Sequence, residues 1–195
     1  GQGLLTAWLL AAQTHAARGH WPEGWPPPPQ PASIHRIELM ARDQQRARKA
    51  LGHYARFTHG NISHTDFGEA DTIVILDVLH YIDYASQQDI LRRAHATLPP
   101  HGVLLLRIGD AGGGLRYKMS AGYDRVIWKL RGARHSRLYC RTLPEWRETL
   151  HRTGFSSKAV PIHHGLRLAN TLLVAKPLIS QSARQSAKRF IRQEH

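Results

Sequence analysis

At 195 residues, with 42% apolar and 21% charged side chains, the chain has the size and composition of one soluble globular domain with a substantial core. Its single cysteine, Cys140, excludes an internal disulfide framework and suits a reducing cytoplasm, and no apolar run is long enough to span a bilayer. Lys and Arg total 27 against 14 acids, a formal charge of +13, so the surface favours acidic partners such as nucleic acid, anionic lipid, phosphorylated metabolites or an acidic carrier protein.

Residues 4–18 are rich in alanine and leucine and predict a helix. This run lacks the basic start of a signal peptide, and a glycine turn precedes it. Residues 21–32 form a proline-rich loop with four consecutive prolines from Pro26 to Pro29. Residues 33–39 predict a strand, 41–51 a charged helix with Asp43 in its first turn, and 54–59 a short strand. The clearest strand is 72–79, where Ile73, Val74, Ile75, Leu76 and Val78 make a nearly continuous apolar run. Such a run suits a parallel strand covered on both faces. Residues 87–98 predict a helix with Ile90, Leu91, Ala94 and Leu98 on one stripe, stopped by Pro99-Pro100. Residues 102–108 predict a strand, and 143–153 a helix ended by Gly154. Residues 157–162 and 170–175 read as a closing antiparallel pair. Strands alternating with helices imply a doubly wound α/β sheet, whose ligands bind beyond the carboxyl ends of the strands.

Three segments match one pattern in order. Gly1-Gln2-Gly3 opens a helix, Ile37-Glu38-Leu39-Met40 ends a strand in an acid, and residues 72–82 read TIVILDVLHYI. Together they resemble class I S-adenosylmethionine-dependent methyltransferases. The resemblance implies a Rossmann-like doubly wound mixed sheet and S-adenosylmethionine as cofactor. In that family the glycine turn follows a buried first strand at the centre of the sheet. This chain begins inside the turn, so the expected sheet lacks that strand, and truncation within the motif is expected to weaken stability and cofactor binding. The expected organisation is a methyltransferase-like domain over 1–176, with a basic cap inserted at 115–142, and a basic tail over 177–195.

The resemblance places Gly1 and Gly3 at the amino-acid end of the cofactor, Glu38 with Leu39 at the ribose, and Asn61 with Ile62 at the adenine. It places Asp77 and Val78 around the sulfonium. Each position also has a plainer reading. A carboxylate at Glu38 can accept both ribose hydroxyls, or pair on the surface with Arg36 or Arg42. Asn61 stands where the family often has an acid; its side-chain oxygen can still accept from the adenine amino group, or simply serve a turn. His80 is a candidate general base or a structural histidine. Asp110 is a candidate for facing the acceptor or for capping the glycine-rich turn that follows it. One cysteine and scattered histidines do not make a zinc ligand set, so no metal is expected.

The cap carries Arg116, Lys118, Arg125, Lys129, Arg131, Arg134, Arg137 and Arg141. It reads either as a cover that favours an anionic acceptor or as a solvated helix face. The tail, with Arg184, Lys188, Arg189 and Arg192, reads as a basic amphipathic helix for an anionic membrane or partner, or as disordered. FGEADTIVILDVLHYIDYASQQDILRRA, LLLRIGD and LYCRTLPEW are similar to bacterial small-molecule methyltransferases of aryl-polyene and fatty-acid-like pigment pathways. That implies a small-molecule or acidic-carrier-bound acceptor; nucleic acid is not favoured. A nicotinamide-dependent oxidoreductase is the enzymatic alternative, but its G-x-G-x-x-G would need glycine where Thr6 stands. A truncated, non-catalytic paralogue acting as a binding subunit is the other alternative.

Overall fold

The computed structural model describes residues 3–30, 33–112, 138–162 and 170–178. Gly1, most of the basic cap, including Arg131, Arg134 and Arg137, and the tail from residue 179 lie outside the described residues. The chain divides into two compact units, Gly1–Phe67 and Gly68–His195. Among the described residues the first unit holds a two-stranded sheet and the second a four-stranded one.

The first unit contains α1 (Leu4–Ala17), β1 (His35–Glu38), α2 (Ala41–Leu51) and β2 (Arg56–His59). The strands pair in parallel, from His35 opposite Arg56 to Glu38 opposite His59. Gly3 caps α1 at φ 92, and a Cβ there would lie 2.9 Å from Leu51 Cδ1 and 3.2 Å from Ala47 Cβ. The turn therefore needs glycine both for its left-handed backbone and for the close approach of α2. Apolar burial in this unit is thin. Ala47 and Phe67 are its buried hydrophobic side chains among the described residues, while Leu4, Trp8, Leu39 and Tyr54 are exposed. In the proline-rich loop, Trp21 Nε1 donates to Pro26 O at 2.8 Å, and the Trp21 and Trp25 rings meet edge to face.

The second unit contains β3 (Thr72–Leu76), a short 3₁₀ turn (Leu79–Tyr81), α3 (Tyr84–Thr97), β4 (Val103–Gly109), α4 (Leu143–Arg152), β5 (Phe155–Pro161) and β6 (Asn170–Pro177). Its strand order is β3-β4-β6-β5. β3 and β4 are parallel, and β6 runs antiparallel to both β4 and β5, which gives the closing pair expected from the sequence. Leu104, Leu106 and Ile108 alternate into the core with Ile73, Ile75, Leu173 and Ala175. Trp146, Leu150 and Phe155 complete it from α4 and the start of β5.

Three expectations change in detail. β3 is covered on one face only: Ile73 and Ile75 are buried, whereas Thr72 and Val74 are exposed. The strand stops at Leu76 rather than 79, because Asp77 turns to φ 56, outside the β region. α3 starts three residues earlier than its apolar stripe suggests, because Asp83 Oδ1 accepts from the amides of Ala85 and Ser86, both at 3.0 Å. A capping box between Thr142 and Glu145 starts α4. β1 and β3 each have one hydrogen-bonded neighbour among the described residues.

Two outcomes follow from these helix ends. Gly154, just beyond α4, has φ 93, and a Cβ there would lie 2.7 Å from His95 Nε2. Gly154→Ala should destabilise the protein by about 1–3 kcal/mol from backbone strain, with the contact adding to it, as read by urea unfolding. Glu145 is held below its ordinary value of 4.5, first by the Thr142 amide and then by the Thr142 hydroxyl. Its contribution is complete above that ordinary value and is lost as pH falls through the lowered one. Glu145→Gln should therefore melt below the native chain at neutral pH, with the gap closing in acid.

Candidate functional site

In the first unit Glu38 ends β1 and is only 9% exposed. Its Oε2 accepts from Arg36 Nη2 and its Oε1 from the Met40 amide, both at 3.1 Å. Burial pushes this carboxyl up, while the hydrogen bonds from the Met40 amide and from Arg36 pull it down. The pairing with Arg36 foreseen as the plain reading is present, yet the carboxylate is buried rather than on the surface. A carboxylate offers two oxygens, the geometry that paired hydroxyls require.

The other first-unit candidates differ in character. Gly3 stands at the start of α1, where helix amides favour a negative group. Leu39 is exposed, and its carbonyl lies 3.0 Å from His59 Nε2. Asn61 is exposed and serves a turn: its Oδ1 accepts from the Ser63 amide at 3.0 Å, and its carbonyl from the amides of His64 and Thr65, both at 2.9 Å. Ile62 is half-buried beside it. A surface hollow lined by Gln13, Ala16, Ala17, Pro28 and Gln30 holds no titratable side chain.

In the second unit the carboxyl ends of β3 and β4 gather Asp77, Val78, His80 and Asp110. Asp77, left-handed and half-exposed, is held two-fold by Arg107, through Nε at 2.9 Å and through Nη2. The ion pair raises the Arg107 pKa above its ordinary value. Val78 is exposed. The His80 ring lies 4.0 Å from that of Tyr81, and the His80 carbonyl accepts from the Tyr139 amide at 2.8 Å. Asp110 Oδ1 accepts from the amides of Gly112 at 2.9 Å and Leu143 at 3.0 Å. That oxygen therefore ties the end of β4 to the start of α4, which is the capping reading.

Residues absent from the sequence-based candidates hold this end together. Gln87 on α3 is fully buried. Its Nε2 donates to the carbonyls of Leu79 at 3.0 Å, Ile82 at 2.9 Å and Tyr139 at 2.8 Å, and its Oε1 accepts from Arg141 Nε at 2.9 Å. Three acceptors on one side and a cation on the other fix the orientation of the amide. Gln87 shares a helical face with Ile90, Leu91 and Ala94, all buried. A polar residue on an apolar stripe was the available signal. Among the described residues no group of three or more His, Cys, Asp or Glu side chains can hold a metal ion, and no helix is long and apolar enough to cross a membrane.

Gln87→Met keeps the volume but strands the Ile82 and Tyr139 carbonyls and the Arg141 Nε. Unfolding should show a loss of about 2–4 kcal/mol, because buried polar groups left unmatched cost about 1–3 kcal/mol each. A loss below about 0.5 kcal/mol, the scale of an ordinary surface change, would contradict the network.

No family model matches the chain. It is 30% identical to carboxy-S-adenosyl-L-methionine synthase of Chromohalobacter salexigens, over 66% of this chain and 54% of that protein. The chain thus spans about half the length of that curated relative. Among solved structures, magnesium protoporphyrin IX methyltransferase from Synechocystis PCC 6803 with bound SAH superposes with TM-score 0.54 at 16% identity, covering 75% of this chain and 64% of that one. Human N-acetylserotonin methyltransferase in complex with SAM gives 0.57 at 15% identity, covering 87% and 44%. An enzyme of a pericyclic reaction gives 0.60 at 16% identity, covering 91% and 41%. With a glycine turn opening α1, a buried acid ending β1, and β6 antiparallel between β4 and β5, the chain shares the Rossmann-like α/β fold of these solved methyltransferases.

Proposed function

We propose that the chain catalyses S-adenosylmethionine-dependent methyl transfer to a small-molecule or carrier-bound acceptor in the cytoplasm. The observation that carries this reading is Glu38, a buried carboxylate at the carboxyl end of a parallel strand. A carboxylate at the end of this strand suits the two hydroxyls of a ribose, and the glycine start of α1 suits a negative group on the same cofactor. The relative's name and the SAM- and SAH-bound neighbours support that cofactor.

When bound, the cofactor supplies an electrophilic methyl group on a sulfonium. Transfer from a sulfonium needs chiefly proximity and alignment, so the protein's main work is to hold the acceptor. In this reading Asp77, fixed by Arg107, and His80, fixed through its carbonyl, line the acceptor side of the second unit. His80 takes a proton only if the acceptor must lose one. The excess of 27 basic over 14 acidic side chains favours an anionic acceptor or an acidic carrier, in keeping with the implied pigment or acyl chemistry.

Calorimetry with S-adenosylhomocysteine tests the reading. Glu38→Ala should weaken binding roughly 10- to 100-fold, the worth of hydrogen bonds to a charged acceptor. Unchanged affinity would remove Glu38 from the site.

A further inference from the structure

Residues 18–34 join α1 to β1. Connections in compact domains run to about 4–6 residues, and loops beyond about 12–15 are uncommon and usually either functional or disordered. Residues 21–30 of this one are tied by contacts of their own. Trp21 Nε1 donates to Pro26 O at 2.8 Å, and the Trp25 amide donates to Pro22 O at 3.3 Å. The rings of Trp21 and Trp25 meet edge to face with centroids 5.7 Å apart.

The tied stretch leads into Pro26-Pro27-Pro28-Pro29. A proline ring fixes φ at about −65°, and each proline pushes the residue before it into the extended region. Trp25, Pro26, Pro27 and Pro28 all precede a proline, so stereochemistry alone holds the run as a polyproline II ridge. Such a ridge turns about every three residues and makes no hydrogen bonds within itself. Among the described residues the carbonyls of Pro27, Pro28 and Pro29 accept none from elsewhere. Prolines have no amide hydrogen, so the ridge offers acceptors and apolar rings only. Pro28 lines the hollow at the end of α1, with Ala16 and Ala17, which gives the ridge a supported side. Pro26 and Pro27 are exposed, and Trp25 keeps 63% of its surface in solvent.

That chemistry selects the partner. Pyrrolidine rings pack on flat aromatic side chains, and unpaired carbonyls need indole or phenol donors. Glu23 is the one charged side chain between Trp21 and Gln30, so the segment has no cation for a phosphate or an anionic lipid. The ordering cost of docking is already met by the prolines and by the bond from Trp21.

We propose that Trp25 with Pro26–Pro29 is a polyproline II ligand, which docks into the aromatic-lined groove of a partner protein domain. The exposed Pro26 and Pro27 rings lie on the aromatic side chains of the groove, and the Trp25 indole enters a pocket beside it. The ligand belongs to the connection between α1 and β1 and does not depend on methyl transfer.

The test titrates the unlabelled full chain into three ¹⁵N-labelled probes that carry such grooves, an SH3, a WW and an EVH1 domain. At least one should show saturable shifts confined to its groove. Trp25→Ala should weaken that binding roughly tenfold or more, as loss of an aromatic anchor does. A double change, Pro26→Ala with Pro27→Ala, should do the same. Trp21→Phe keeps a ring but loses the donor to Pro26, and should weaken binding roughly two- to fivefold through lost preorganisation. Melting temperatures of Trp25→Ala and of the double variant should stay level, as for surface changes. No shifts in any of the three domains would overturn the proposal, as would binding that survives both Trp25→Ala and the double change. A fall in melting temperature with undiminished binding would mark the loop as a structural spacer. Self-association in sedimentation that these changes abolish, with no domain bound, would assign the ridge to a second copy and also overturn it.

Discussion

The carboxyl ends of β3 and β4 depend on the buried amide of Gln87. No regular ladder can hold this region, because β3 has ended at Leu76 and the chain enters a 3₁₀ turn. Its carbonyls still need donors where burial withdraws them from water. Gln87 supplies donors to Leu79, Ile82 and Tyr139 from one nitrogen, and its oxygen restrains Arg141. The loop after β3 and the strand-like segment before α4 are thereby fixed to α3. Asp110 adds a second tie, from the end of β4 to the first residue of α4. A loop that carries His80 and a segment that carries Arg141 are thus positioned by side chains that carry out no chemistry themselves.

The backbone around Asp77 shows the same economy. A non-glycine residue at φ 56 is costly, and such residues cluster where structure serves function. Aspartate tolerates this conformation better than most, and Arg107 on the neighbouring strand grips both carboxylate oxygens. The parallel register places Leu76 opposite Arg107, so the residue after the strand falls within reach of that guanidinium. Burial is uneven between the units. The large buried side chains Leu79, Ile90, Leu91, Leu104, Leu106, Trp146 and Phe155 all belong to Gly68–His195, whereas Gly1–Phe67 keeps several large apolar side chains exposed. Each unit also retains a strand with an unpaired edge among the described residues.

Much of this was legible from residue patterns. α2 spans the residues its charge pattern predicts, and the closing antiparallel strands were foreseen, because both depend on local periodicity. The end of β3 was misread because Val78 extends the apolar run while the backbone has already turned at Asp77. The start of α3 was misread because the cap at Asp83 precedes the first residue of the apolar stripe. Glu38 was legible as an acid ending a strand, but its burial and its bonds from Arg36 and Met40 emerge only when the chain folds around it. Gln87 and Arg141 were invisible as a pair: they are 54 positions apart and meet only through tertiary structure. Alternating strands and helices count the elements but do not reveal which strand edges find neighbours.

The central claim is that the acid ending β1 and the glycine opening α1 form a nucleoside site. Titration of ¹⁵N-labelled protein with S-adenosylhomocysteine, followed by two-dimensional NMR, tests it most directly. The account predicts that the amides of Gly3, Leu39 and Met40 shift together along one saturable curve, and that Glu38→Ala removes those shifts at the same ligand concentration. Absence of shifts at these three amides, or shifts that persist undiminished in Glu38→Ala, would contradict it.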